Sequence, residues 1–125
     1  MVPDGLQYTK EHEWVRLEAN GEAVVGITDH AQHELGDITF VETPKVGKVC
    51  KAHDALGVVE SVKAASDIFA PVAGTVQAIN PALAKEPEIV NRDPYGAGWI
   101  CRLANMTAGA LLTPQQYRDF LATLK

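Results

Sequence analysis

The sequence predicts a mainly β fold, a compact barrel or sandwich of short antiparallel strands with small peripheral helices and a C-terminal helix. Short apolar, β-branched runs recur along the chain, as in Val24-Val25, Val58-Val59 and Val76 to Ile79. Turn formers separate them at close intervals: Asn20-Gly21, Pro44 to Gly47, Pro71 to Gly74 and Pro94-Tyr95-Gly96. Strands and helices do not alternate, and the glycines form neither G-x-G-x-x-G nor a phosphate loop, which argues against a dinucleotide fold.

Val15 to Leu17 and Ala23 to Ile27 read as a hairpin. Asn20-Gly21 between them is the strongest short hairpin signal, because a type I′ turn needs positive φ at both central residues. Thr28 caps a short helix, Asp29 to Leu35. Asp29 suits the positive end of its dipole, and Gly36 suits the left-handed position that follows. Further strands are expected at Asp37 to Glu42, Val46 to Cys50, Ala55 to Glu60, Ser66 to Ala70 and Thr75 to Ile79, with Pro71 to Gly74 as a turn. Asn80-Pro81 looks like an N-cap with proline at the first helical position. Asn91 to Gly96 reads as a loop and Trp99 to Leu103 as a strand. Thr113-Pro114-Gln115-Gln116 is a capping box that opens a helix at about 114–124, its apolar face carrying Tyr117, Phe120, Leu121 and Leu124.

A chain of 125 residues, 46% hydrophobic and 22% charged, has the size and composition of one globular domain, expected over residues 1–125. The formal net charge is −5 and Lys and Arg do not cluster, which disfavours nucleic acid and acidic membrane surfaces as partners. No apolar run is long enough to cross a bilayer. Cys50 and Cys101 are far apart in sequence, outside any Cys-x-x-Cys arrangement, and are expected as small core residues of a protein in a reducing compartment. The opening Met-Val-Pro-Asp-Gly has no signal character, so a cytoplasmic location is expected, or a mitochondrial one if a presequence has been removed. A monomer is the default.

The most informative segment is Glu60-Ser61-Val62-Lys63-Ala64-Ala65-Ser66-Asp67. It puts a primary amine at the bend of a strand–turn–strand unit, where a modifying ligase would need it. A solvated lysine in a turn is also the ordinary case, and spacing alone does not separate the two. With Val62 to Ala65 as the turn, Ser61 faces Ser66, Glu60 faces Asp67, Val59 faces Ile68 and Val58 faces Phe69. Glu60 and Asp67 would then be facing like charges, either splayed into water or forming an acidic collar for a partner. The absence of Gly, Asn or Asp points to a stiff type I turn.

Other candidate chemistry is weaker. His30 and His33 lie at i, i+3 on the first helix but lack a second pair or Cys partner with metal-ligand spacing, so no metal is expected. Ser61 has no nucleophile elbow and no clear base. Glu11-His12-Glu13-Trp14 is either a polar site beside an aromatic wall or surface charge next to a core tryptophan.

Taken in order, these motifs resemble the H-protein family of the glycine cleavage system. The match runs through His12-Glu13-Trp14, Gly26 to Gln32, Leu35-Gly36-Asp37, Gly57 to Ala64, Pro71 to Gly74, Asn91, Asp93 to Gly96 and Gly98-Trp99, nearly the whole chain. Biotin carriers of the same hammerhead architecture usually flank their lysine with methionines, and lipoyl domains of 2-oxoacid dehydrogenases usually place an acidic residue before it. Val62 here looks like the H-protein version.

The resemblance implies a hammerhead, barrel-sandwich hybrid fold and a carrier that is not itself an enzyme. It implies lipoate attached at Lys63, with Glu60, Ser61, Val62 and Ala64 as the recognition segment. It also implies an arm-docking cleft at Glu11, Glu13, Ile27 and Asp67, where a carboxylate such as Glu13 would meet the cargo's ammonium. The implied partners are a pyridoxal-phosphate glycine decarboxylase, a tetrahydrofolate-dependent aminomethyltransferase, an FAD-containing dihydrolipoyl dehydrogenase, and a lipoate ligase or lipoyl/octanoyl transferase. An alternative is an H-like protein that relays lipoyl groups to other complexes or serves another redox pathway. Arg92, where the family commonly has an acidic residue, and Cys50 and Cys101 depart from the pattern.

Overall fold

The computed structural model describes residues 2–107 and 109–124. In chain order the elements are β1 (Gln7–Tyr8), β2 (Glu13–Leu17), β3 (Ala23–Ile27), α1 (Asp29–Leu35), β4 (Ile38–Glu42), β5 (Val49–Cys50), β6 (Ala55–Ser61), β7 (Ala65–Phe69), β8 (Ala73–Ile79), a 3-10 turn (Pro81–Ala84), α2 (Ile89–Arg92), β9 (Cys101–Thr107) and α3 (Pro114–Ala122). The described strands form two sheets, a six-stranded one in the order β1-β2-β3-β9-β8-β5 and a three-stranded one in the order β4-β6-β7. All pairings within them are antiparallel.

The main core is shared by the two sheets. Val15, Val25, Ile27 and Leu103 from the larger meet Val41, Leu56, Val59 and Ile68 from the smaller, all buried. Because successive strand residues point to opposite faces, Val24 turns away from its neighbour Val25 into a second cluster with Tyr8, Trp14 and Tyr117. That cluster seats α3 on the outside of the larger sheet. Trp14 stands opposite Gly26 across β2 and β3. A Cβ at Gly26 would lie 2.6 Å from the indole, so glycine makes the space for the ring. The indole N–H donates to the Pro94 carbonyl at 2.9 Å, satisfying the one polar atom that burial would strand.

The starts of α1 and α3 follow the capping chemistry of the sequence. Thr28 Oγ1 accepts the Ala31 N–H, and Thr113 and Gln116 form the reciprocal capping box of α3. Asn80 caps the 3-10 turn as expected, and its amide also donates to the Ala97 and Trp99 carbonyls.

Several expectations are corrected. The β2–β3 turn is not type I′, because only Gly21, and not Asn20, has positive φ. The Glu18 N–H bonds to the Glu22 carbonyl and the Gly21 N–H to the Glu18 carbonyl, the pattern of a three-residue loop with glycine in the left-handed position. Gly36 has φ 79° and ψ −156°, a region open essentially to glycine alone and outside the left-handed helical one. The strand expected at Val46 to Cys50 shrinks to Val49–Cys50, since Lys48 N–H closes a turn onto the Lys45 carbonyl.

Ala73 and Gly74 belong to β8 and not to a turn, pairing with Thr107 and Cys50. Asn91 and Arg92 lie in α2 and not in a loop. The last strand starts at Cys101 and not at Trp99, whose N–H is held in a turn by the Gly96 carbonyl, and it runs on to Thr107. The final helix ends at Ala122, and Leu124 is exposed.

Candidate functional site

Lys63 stands at the tip of the β6–β7 hairpin, exposed with Val62 and Ala64. The register differs by two residues from the expected one: Glu60 pairs with Ala65, Val59 with Ser66 and Val58 with Asp67. The turn is correspondingly tighter, with Ser61 N–H donating to the Ala64 carbonyl at 2.8 Å across Val62-Lys63. Neither Val62 nor Lys63 has positive φ. Ser61 makes this possible without glycine, because its Oγ accepts the N–H groups of both Lys63 and Ala64 at 3.1 Å. Glu60 faces Ala65, so the facing pair of like charges does not form.

The turn is anchored from outside the hairpin. Val62 N–H donates to the Asp37 carbonyl at 3.1 Å. The lysine stem runs over Gly36, where a Cβ would stand 3.5 Å from Lys63 Cε. Beside Gly36 opens a cleft of about 380 Å³, lined by Ala31, Leu35, His30 and Glu34 from α1, by Glu11 and His12, and by Ser66 and Leu124. The cleft therefore begins next to the hairpin, on the face that Ser66 shares with Val59.

Of the four residues expected in a docking cleft, Glu11 lines it. Glu13 and Ile27 are brought together as cross-strand partners, at 2% and 5% exposure, and neither lines it. Asp67 is exposed opposite Val58, on the other face of the hairpin from Ser66. Glu13 is thus no surface charge. Thr9 Oγ1 donates to its Oε1 at 2.5 Å and the Phe69 N–H to its Oε2 at 3.2 Å. Burial outweighs these hydrogen bonds and lifts the carboxyl from 4.5 to about 7.

Besides Glu11 the cleft has four polar lining residues that the sequence did not place in it: His12, His30, Glu34 and Ser66. The His12 and His30 rings lie 4.4 Å apart, and His12 Nδ1 is hydrogen-bonded to the Tyr117 hydroxyl at 2.8 Å. Burial, with the neighbouring His30, lowers His12 to about 4 and leaves it neutral at pH 7. His30 and Glu34 at i, i+4 are a legible helical face, but His12, at φ 71°, reaches it only through the tertiary fold. His33 instead lies near Asp29, at 3.8 Å, and contacts Gln32, so the two helix histidines serve different neighbours. Among the described residues no group of His, Cys, Asp and Glu could hold a metal ion. Cys50 and Cys101 are free and buried.

The arrangement offers one exposed amine on a braced turn, a solvent-accessible cleft beside it, and a carboxyl, Glu13, buried in the fold. The model of the family "Glycine cleavage H-protein" matches residues 6–124. Similar curated proteins include a glycine cleavage system H protein from Halorhodospira halophila, 59% identical with 97% of this chain and 95% of that protein covered. Another is from Alkalilimnicola ehrlichii, 55% identical with the same coverage. The crystal structure of a glycine cleavage system H protein from Mycobacterium marinum superposes with a TM-score of 0.92 at 36% identity, covering 97% of this chain and 99% of that one.

Proposed function

Because this chain belongs to the glycine cleavage H-protein family, the non-enzymatic carrier of that system, we propose that its lipoyl group is joined in amide linkage to Lys63 Nζ. The observation that carries the assignment is the position of Lys63, exposed at the tip of a hairpin whose turn is braced by Ser61 and Asp37. When attached, a lipoyl group supplies a redox-active dithiolane on a long flexible arm, able to take up the aminomethyl cargo and reducing equivalents.

The residues present fit such a group. The amine is exposed to an approaching ligase, and its stem crosses a glycine. The adjoining cleft, about 380 Å³, falls within the usual range of small-molecule sites, roughly 300–1,000 Å³. Leu35 and Ala31 give it an apolar wall, while Glu11 and Glu34 supply carboxylates that attract a cation. Glu13 lies deeper, and meets a cargo only when Thr9 and Phe69 release it. Partly enclosing the arm would keep water from its cargo. Asp67, on the opposite face of the hairpin from Ser66, would meet partner enzymes rather than the cleft lining.

The proposed partners are glycine decarboxylase, aminomethyltransferase and dihydrolipoyl dehydrogenase, with a lipoate ligase or lipoyl/octanoyl transferase loading the arm. All would reach the same exposed tip. Intact mass after co-expression with a lipoate ligase tests the assignment. The expected result is a gain of one lipoyl group that disappears in Lys63→Arg. Undiminished modification of Lys63→Arg overturns it.

A further inference from the structure

We propose that Asn91 is a positioning residue for the lysine turn, acting on it through the backbone of Gly36 to Ile38. The proposal rests on the assignment of Lys63 as the lipoyl acceptor.

Asn91 lies on α2, far from Lys63 in sequence, yet its amide grips the segment against which the turn leans. Asn91 Oδ1 accepts the Ile38 N–H at 2.8 Å. Asn91 Nδ2 donates to the Gly36 carbonyl at 2.9 Å and to Gln32 Oε1 at 2.9 Å. One side chain therefore holds both peptide groups that flank Asp37. Asp37 in turn accepts the Val62 N–H through its carbonyl, and Gly36 carries the lysine stem. Ile38 also opens the β4–β6 ladder opposite Ser61, the residue that organises the turn.

The amide is the group this place calls for, because it must accept from one peptide and donate to another. A carboxylate at position 91 keeps the acceptor but sets a lone pair against the Gly36 carbonyl. Alanine removes both bonds. In either case the Gly36–Ile38 segment is freed to shift, and the amine loses its fixed place relative to the cleft and to an approaching ligase.

A brace that only joins α1 to α2 would lower stability everywhere, whereas a positioning residue acts at the turn. Amide hydrogen exchange, followed by NMR on unmodified protein, separates the two in Asn91→Ala and Asn91→Asp. The Val62 amide should exchange about tenfold faster, as expected for one weakened hydrogen bond, while Val25 and Leu103 in the larger sheet stay within about twofold. kcat/KM for ligase-catalysed lipoylation should fall by a similar factor.

Unchanged Val62 exchange in a folded variant overturns the proposal. So does equal acceleration at Val62, Val25 and Leu103, or failure of both variants to fold, since each makes Asn91 a general structural brace. Lipoylation persisting in Lys63→Arg would instead overturn the acceptor assignment, and the exchange data would still judge Asn91.

Discussion

Replacing Glu13 by glutamine should stabilise the protein at alkaline pH and do little at acid pH. Glu13 is 2% exposed, and its carboxyl is raised from 4.5 to about 7, chiefly by burial. Between those pH values the folded chain keeps a proton that the unfolded chain releases, so this group makes stability fall as pH rises. Below about 4.5 both states are protonated and the group costs nothing; above about 7 both are ionised and the whole penalty is in place. At about 1.4 kcal/mol per pH unit, the penalty amounts to about 3 kcal/mol.

Glutamine reproduces the neutral form, its carbonyl accepting the Phe69 N–H and its amide donating to Thr9 Oγ1. His12 acts in the opposite direction, because burial lowers it to about 4 and its contribution is lost as pH falls below the ordinary histidine value of 6.5. The wild-type profile is therefore partly self-cancelling, and the informative quantity is the difference between variant and wild type. Urea unfolding at pH 4, 6 and 8 measures it. The advantage of the Glu13→Gln variant should grow by about 3 kcal/mol from the lowest pH to the highest. A difference flat within about 0.5 kcal/mol, the scatter expected of such comparisons, would refute the idea that a buried ionising carboxyl sits here.

Ser61→Ala removes the acceptor for two turn amides, and should speed exchange at Lys63 and Ala64 and lower the lipoylation rate, at a cost of about 1 kcal/mol locally. Gly36→Ala forces a side chain into φ 79°, ψ −156° and should cost about 1–3 kcal/mol, measured by urea unfolding. Thr113→Ala breaks the capping box and should cost about 1 kcal/mol, with loss of helical signal as the check. Arg92 pairs with Glu86 at 3.3 Å on an exposed surface, so Arg92→Glu should change stability by less than about 1 kcal/mol while altering affinity for the decarboxylase; equal affinities would exclude that role.

The parts of the fold readable in the sequence are those fixed by neighbours along the chain. Thr28, Asn80 and Thr113 announce their helices because capping is chemistry between residues two or three apart. The β6 and β7 strands are legible from their apolar, β-prone residues, Leu56, Val58 and Val59 in one and Ile68 and Phe69 in the other, and Lys63 is legible as the residue at their bend. Their register is not, because Ser61, adjacent to the turn, supplies with its hydroxyl what a turn glycine or asparagine would otherwise provide. The extent of β9 is hidden for a different reason: its end is drawn into the sheet where Thr107 pairs with Ala73 of β8, a contact between distant segments. The same limit hides the cleft. Nothing local says that the His12 ring meets that of His30, or that Thr9 and Phe69 donate to a buried Glu13, because both follow from how the sheets close.

The proposed carrier role of Lys63 is tested most directly by glycine turnover with the three partner enzymes, reconstituted with wild-type protein or with Lys63→Arg, alongside peptide mapping of the attached group. The expected result is a single lipoylated peptide containing Lys63, and no turnover above the carrier-free background for the arginine variant. A lipoyl group mapped to another lysine, or sustained turnover without Lys63, would contradict it.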